Sequence, residues 1–167
     1  MDLAQEAARL FFPLTLPICL YVAFTDLREM RITNQAVIVL ALIFVVVAPF
    51  IMPFDTYLWR LAGLVIVLMA GIFLNAAGAM GAGDAKFLAA AAPYIALGDL
   101  RFLMALFAGV LLAAFTTHRI ARATGLRNLA PHWQSWEQGK KFPMGLALGM
   151  TLAAYLGLGM VFGTSQP

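Results

Sequence analysis

Cysteine occurs once in this 167-residue chain, histidine twice, and charged residues make up only 11% of it. A single thiol, Cys19, excludes an internal disulfide and any Cys-x-x-Cys zinc or redox site. His118 and His132 stand far apart without partners at metal-ligand spacing. A chemistry free of metal and of any other cofactor is therefore expected. Neither Gly-x-Ser-x-Gly nor His-Glu-x-x-His is present, which removes two common hydrolase signatures. The chain also lacks internal repeats and low-complexity tracts, so one domain over residues 1–167 is expected.

What fills the chain is hydrocarbon. Hydrophobic residues make up 63% and the mean hydropathy is +0.89, too apolar for a soluble domain of this size. A bilayer core of roughly 30 Å takes roughly 20 apolar residues per spanning helix. On that measure the expected fold is all-α and polytopic, with about six transmembrane helices: 7–25, 35–52, 57–77, 85–97, 102–117 and 143–162. Pro13 and Pro17 fall in the first run, as membrane helices tolerate. Its acidic start and lack of an Ala-x-Ala site favour a retained helix over a cleaved signal.

Basic residues resist translocation, so their distribution gives an orientation. Arg9, Arg60 and Arg101 fall on one side, leaving eight of the 11 basic residues on the other. The expected arrangement places both chain ends outside and the basic side in the cytoplasm. The pI of 9.4 then reflects topology and anionic headgroups, and no nucleic-acid partner is implied. The one sizeable polar segment, about 118–142, carries Trp133 and Trp136 between cationic ends and reads as a cytoplasmic loop at headgroup level.

Each ionised acid near hydrocarbon costs at least roughly 2.5–3.5 kcal/mol, so each of the eight acids needs a reason. Asp2, Glu6, Glu29, Asp55, Asp99 and Glu137 fall in tails, turns or loops where solvent suffices. Asp26 and Asp84 differ. One ends the first helix and the other begins the fourth, which places both at the cytoplasmic face. Singly, Asp84 reads as an N-cap and Asp26 as a loop acid paired with Arg28 or Arg31. Together they read as a dyad in which one carboxyl holds a proton while the other activates water, the chemistry of an aspartyl protease. Helix dipoles favour the anion on Asp84 and the proton on Asp26.

Gly78, Gly81 and Gly83 beside this pair allow conformations and close approaches closed to other residues. Lys86 sits where it either snorkels or tunes the acids. In the last helix Gly145, Gly149, Ala153 and Gly157 recur every four residues, a stripe for close helix packing or for docking a substrate helix.

"GAGDAK", residues 81–86, resembles the GxGD motif of type IV prepilin peptidases, which are membrane aspartyl proteases. "DLREMRITN", residues 26–34, is similar to that family's first-aspartate segment, with Thr33 where a proline is usual. "KFPMGLALG", residues 141–149, is similar to its Pro-x-Gly helix start. The resemblance implies Asp26 and Asp84 as catalytic residues. Gly81, Gly83, Lys86, Asn34, Pro143 and Gly145 would bind substrate or support the site, with Asn34 also the expected N-cap of the second helix. It implies cleavage of a prepilin leader at the cytoplasmic face of a bacterial inner membrane, after a glycine and before the pilin's hydrophobic helix. The larger members' Cys-x-x-Cys insert is absent, so the chain looks like the short form of tight-adherence (Flp) pilus systems, without N-methyltransferase activity. Archaeal preflagellin peptidases are a near neighbour. The alternatives are a proton-coupled transporter, which needs a polar path to the far side, and a pilus-assembly scaffold, which tolerates loss of both acids.

Overall fold

A computed structural model describes residues 1–138 and 141–165. Lys140, counted above among the basic residues, lies outside the described residues. The chain forms α1 (Gln5–Glu29), α2 (Asn34–Val47), α3 (Phe54–Ala76), α4 (Ala82–Ala91), α5 (Leu100–Ala123) and α6 (Met144–Phe162), joined by short 3-10 turns. Four of these segments, α1, α3, α5 with its preceding turn, and α6, are long and apolar enough to cross a membrane. The apolar stretch built on α2 ends at Phe50, and α4 has only ten residues, about 15 Å of helix. The all-helical expectation holds; of the six expected spans, four meet the length and apolarity of a full crossing among the described residues, and the fourth run breaks at Pro93.

The central pairing is α1 against α6. The small-residue stripe explains it: a Cβ at Gly149 would lie 2.7 Å from the Cys19 carbonyl oxygen, and one at Gly157 would lie 3.3 Å from the Phe12 ring. Only glycine lets the backbones come this close. The stripe is thus consumed inside the bundle and offers no face to a substrate helix.

Three rings knot the middle of the molecule. Phe11 of α1 meets Tyr94 edge-on at 4.9 Å and stacks on Phe44 of α2 at 5.6 Å. Tyr94 also donates from its hydroxyl to the Leu40 carbonyl at 2.7 Å, so the turn after α4 is fastened to α2. α4 leans on α3, where a Cβ at Gly71 would meet that of Ala85 at 2.9 Å, and α5 leans on α6. α3 and α5 turn nearly all of their apolar windows outward, with Ile66, Phe73 and Leu112 more than half exposed, as lipid-facing helices do.

At the end remote from Asp26 and Asp84 the two chain termini are clasped together. Gln5 N–H donates to Thr164 O and Thr164 N–H to Leu3 O, each at 3.0 Å. Asp99, expected in solvent, is instead buried there. Its carboxylate accepts from Asp2 N–H at 2.7 Å, Leu3 N–H at 3.1 Å and the Tyr155 hydroxyl at 2.8 Å. Asp55 is exposed in the first turn of α3, as expected.

Candidate active site

α1 runs past Asp26 to Glu29 and ends at Met30, whose left-handed backbone (φ 52°) reverses the chain. That reversal brings Ile32 under the glycines of the neighbouring helices: a Cβ at Gly83 would lie 3.3 Å from Ile32, and one at Gly145 3.0 Å from it. α2 is capped by Thr33, whose side chain accepts from Ala36 N–H at 3.4 Å, and not by Asn34. Threonine caps well with its hydroxyl, which frees the Asn34 amide for another task. Its Oδ1 accepts from Lys86 Nζ at 3.1 Å, tying α2 to α4.

α4 begins at Gly81, and Asp84 falls inside its first turn, not at the cap. A Cβ at Gly81 would lie 2.8 Å from Asp84 Oδ2. The glycine therefore leaves room for the protein's own carboxylate. Gly83 and Gly145 make similar room for Ile32 and Asp26. Sequence reasoning assigned the glycines to approach by a peptide, and the structure gives them a nearer occupant. Among the described glycines, Gly78 alone sits at positive φ, 73°, in the turn that ends α3.

Asp26 and Asp84 line one cavity of about 630 Å³. Asp26 is buried, and its Oδ2 accepts from Gly145 N–H at 2.6 Å. Gly145 lies in the first turn of α6, behind the buried Pro143 at the N-cap. Asp26 thus satisfies a donor of a positive helix end, which offsets its place at the negative end of α1. Arg28 pairs with Glu29 at 3.5 Å. Asp84 also sits at a positive helix end, half-buried, and burial pushes its carboxyl above the ordinary value of 3.8. Among the described residues Asp84 makes no side-chain hydrogen bond; each acid faces a positive helix end, so the dipoles alone do not rank the two.

Of the residues expected in the site, Asn34, Gly81, Gly83 and Lys86 line the cavity, Gly145 donates to Asp26, and Pro143 is the buried N-cap of the helix that carries Gly145. Lys86 reaches Asn34, not the acids. The structure adds Arg31 and Lys141, read before as topology charges, with Ile32, Phe142 and Met144. All five lie inside the segments 26–34 and 141–149 that carry the resemblance, and that is the signal that could have found them.

The segment before Lys141 is shorter than expected, because α5 takes residues up to Ala123. Trp133 and Trp136 stack on each other at 5.6 Å, Trp136 stacks on the buried His118 at 4.9 Å, and Phe24 meets Trp133 edge-on at 6.0 Å. The tryptophans fasten the segment to α1 and α5. Among the described residues no group of three His, Cys, Asp or Glu side chains could hold a metal ion.

An all-helical chain with four apolar spans and a polar, two-carboxylate cavity at one end defines a polytopic membrane protein with a buried acidic site. The chain belongs to the type IV leader peptidase family, whose model matches residues 14–117. The matched stretch contains both aspartates and stops before α6, which supplies the Gly145 donor. No curated protein and no solved structure gives a match.

Proposed function

We propose that the protein is an aspartic endopeptidase that removes the leader of a type IV prepilin, of the Flp kind, at the cytoplasmic face of a bacterial inner membrane. Membership of a leader peptidase family supports a protease with a prepilin substrate. The observation that carries the catalytic assignment is the shared cavity of Asp26 and Asp84. One carboxyl of the pair acts as base on water while the other holds the proton that polarises the scissile carbonyl, and the bond from Gly145 fixes the place of Asp26. The two titrate as a unit, so an activity profile reports the pair. Gly81, Gly83, Asn34, Lys86, Pro143 and Gly145 shape and brace the site. No feature of the cavity calls for N-methyl transfer.

A transporter fits less well. The other buried acid, Asp99, bonds Tyr155 of α6, about 15 Å along that helix from Gly145. Between them lie buried apolar groups, among them Leu148, Leu152 and Phe87, not a polar path.

Leader cleavage in membranes tests the proposal, with wild type compared to Asp26→Asn, Asp84→Asn and the exposed Asp55→Asn at matched expression. Loss of at least roughly 10²-fold in the first two, with Asp55→Asn unchanged, is expected for removed acid-base groups. Cleavage retained in either dyad variant rejects that acid. Asp99→Asn is no neutral control, because that carboxylate is buried and bonded.

A further inference from the structure

A second hollow begins where the first one ends. It measures about 590 Å³, is lined almost wholly by apolar groups, and shares Gly81, Asp84 and Met144 with the polar cavity. From Asp84 it follows α4 past Leu88 and Ala91 to Ile95, with Leu103, Met104 and Phe107 of α5 as its other wall and Leu148 and Thr151 of α6 at its floor. α4 leans on α3 and α5 leans on α6, so the two walls stand apart. Met104, 64% exposed on the outward-facing α5, marks the side open to lipid. The stretch from Asp84 to Ala91 alone is about 10 Å of helix, two turns.

We propose that this groove receives the apolar transmembrane helix of the substrate, which enters sideways between α4 and α5 and leaves its scissile bond at Asp84. The inference rests on the leader peptidase reading and adds to it the place and direction of binding. Two observations favour a helix over a lipid chain as occupant, and two more favour this groove over other surfaces. The groove is continuous with the two-carboxylate cavity, so whatever fills it is positioned against the candidate catalytic group. The change from polar to apolar lining falls at Asp84, matching a substrate that is polar and extended on one side of the cut and helical and apolar on the other. A helical peptide bond is shielded by its own hydrogen bonds, so the extended part belongs in the polar cavity. The glycine stripe of α6, the other surface suited to a helix, is already filled by α1. The remaining large apolar hollow, about 510 Å³ beside His118 and Trp136, is lined by neither aspartate.

Leu103→Trp and Met104→Trp, placed on the loosely packed wall, fill the groove without touching the acids. Two substrates are compared: a full prepilin in membranes, and a short peptide holding the leader and the cut site without the apolar helix. Both variants are expected to slow prepilin cleavage by roughly tenfold or more, through lost apolar contact, and to leave peptide cleavage within roughly twofold of wild type. Prepilin cleavage at the wild-type rate overturns the groove while leaving the peptidase reading intact. A wild type that cuts neither substrate overturns both. Should the tryptophans damage both activities together, cross-linking decides. In a Cys19→Ala, Asp84→Asn background, Met104→Cys with a short bismaleimide is expected to capture prepilin cysteines spaced three or four apart along the apolar helix. Capture no greater than that by Ile66→Cys, on the outward face of α3, identifies the groove as a lipid slot and overturns the proposal.

Discussion

Gly145 shows how little room the site leaves. Its N–H bonds Asp26 Oδ2 at 2.6 Å, and a methyl group at its Cα would lie 3.0 Å from Asp26 Cβ and Oδ2 and 3.0 Å from Ile32. Such contacts are relieved only by moving the carboxylate or the helix by a few tenths of an ångström. Catalytic geometry is sensitive on that scale, and a misplacement of about 1 Å can cost roughly 10²-fold. Gly145→Ala is therefore expected to lower leader cleavage by roughly 10- to 10²-fold while the protein stays folded. Gly63→Ala, with open space around its Cα in α3, is expected to leave cleavage unchanged and to favour its helix by about 1 kcal/mol. Equal cleavage by both variants would show that the Gly145 contact does not set the position of Asp26.

The short α4 creates a problem at the level of the element, and two side chains from other helices together with Tyr94 of the turn itself solve it. Pro93 breaks the fourth apolar run, so the α-helix gives way to short 3-10 turns, of which Pro93, Tyr94, Ala96 and Asp99 are buried, where each unmet polar group is costly. Arg60 of α3 donates to the Pro93 carbonyl at 3.2 Å, Tyr94 reaches α2, and the Tyr155 hydroxyl accepts from Ala96 N–H at 3.0 Å while donating to Asp99 at 2.8 Å. Tyr155→Phe removes both of the last two bonds at once. It leaves the Ala96 N–H unmet at about 1–3 kcal/mol and takes one of three donors from the Asp99 carboxylate, so a lower thermal midpoint is expected in detergent or lipid. An unchanged midpoint would mean that water reaches the turn and replaces the hydroxyl.

The same element marks the limit of what the sequence made legible. Apolar run length located six helices, and the order of "DLREMRITN", "GAGDAK" and "KFPMGLALG" located the cavity's acids. Run length alone cannot tell a span from a broken half-span, because Pro93 is as apolar as its neighbours and its consequence is met by Arg60 and Tyr155 far away in sequence. Asp99 and Arg60 looked like solvated ends for that reason. The hydrogen bond to Asp26 escaped notice on similar grounds: it comes from a backbone N–H, which every non-proline residue carries.

At the scale of the whole molecule, charge and packing together fix an expected orientation in the membrane. Arg28, Arg31, Lys86, Arg119, Arg122, Arg127 and Lys141 gather at the end that holds Asp26 and Asp84. Of the three cations counted at the far end, Arg60 is half-buried and bonded to Pro93 O, so only Arg9 and Arg101, near the starts of α1 and α5, remain as exposed charges there. The asymmetry is thus steeper than the raw count gave, and basic ends stay in the cytoplasm. Cys19 is buried, so a Cys19→Ala chain offers a clean background for placing single thiols. Gly125, exposed beyond α5 with open space about its Cα, reports the acidic-site end, and the exposed Asp55 at the start of α3 reports the other. With a membrane-impermeant maleimide on spheroplasts, Asp55→Cys is expected to react at once and Gly125→Cys only after the membrane is opened. The reverse pattern would put both aspartates outside, where a leader still attached to a cytoplasmic precursor could not reach them, and would remove the topological basis of the peptidase proposal.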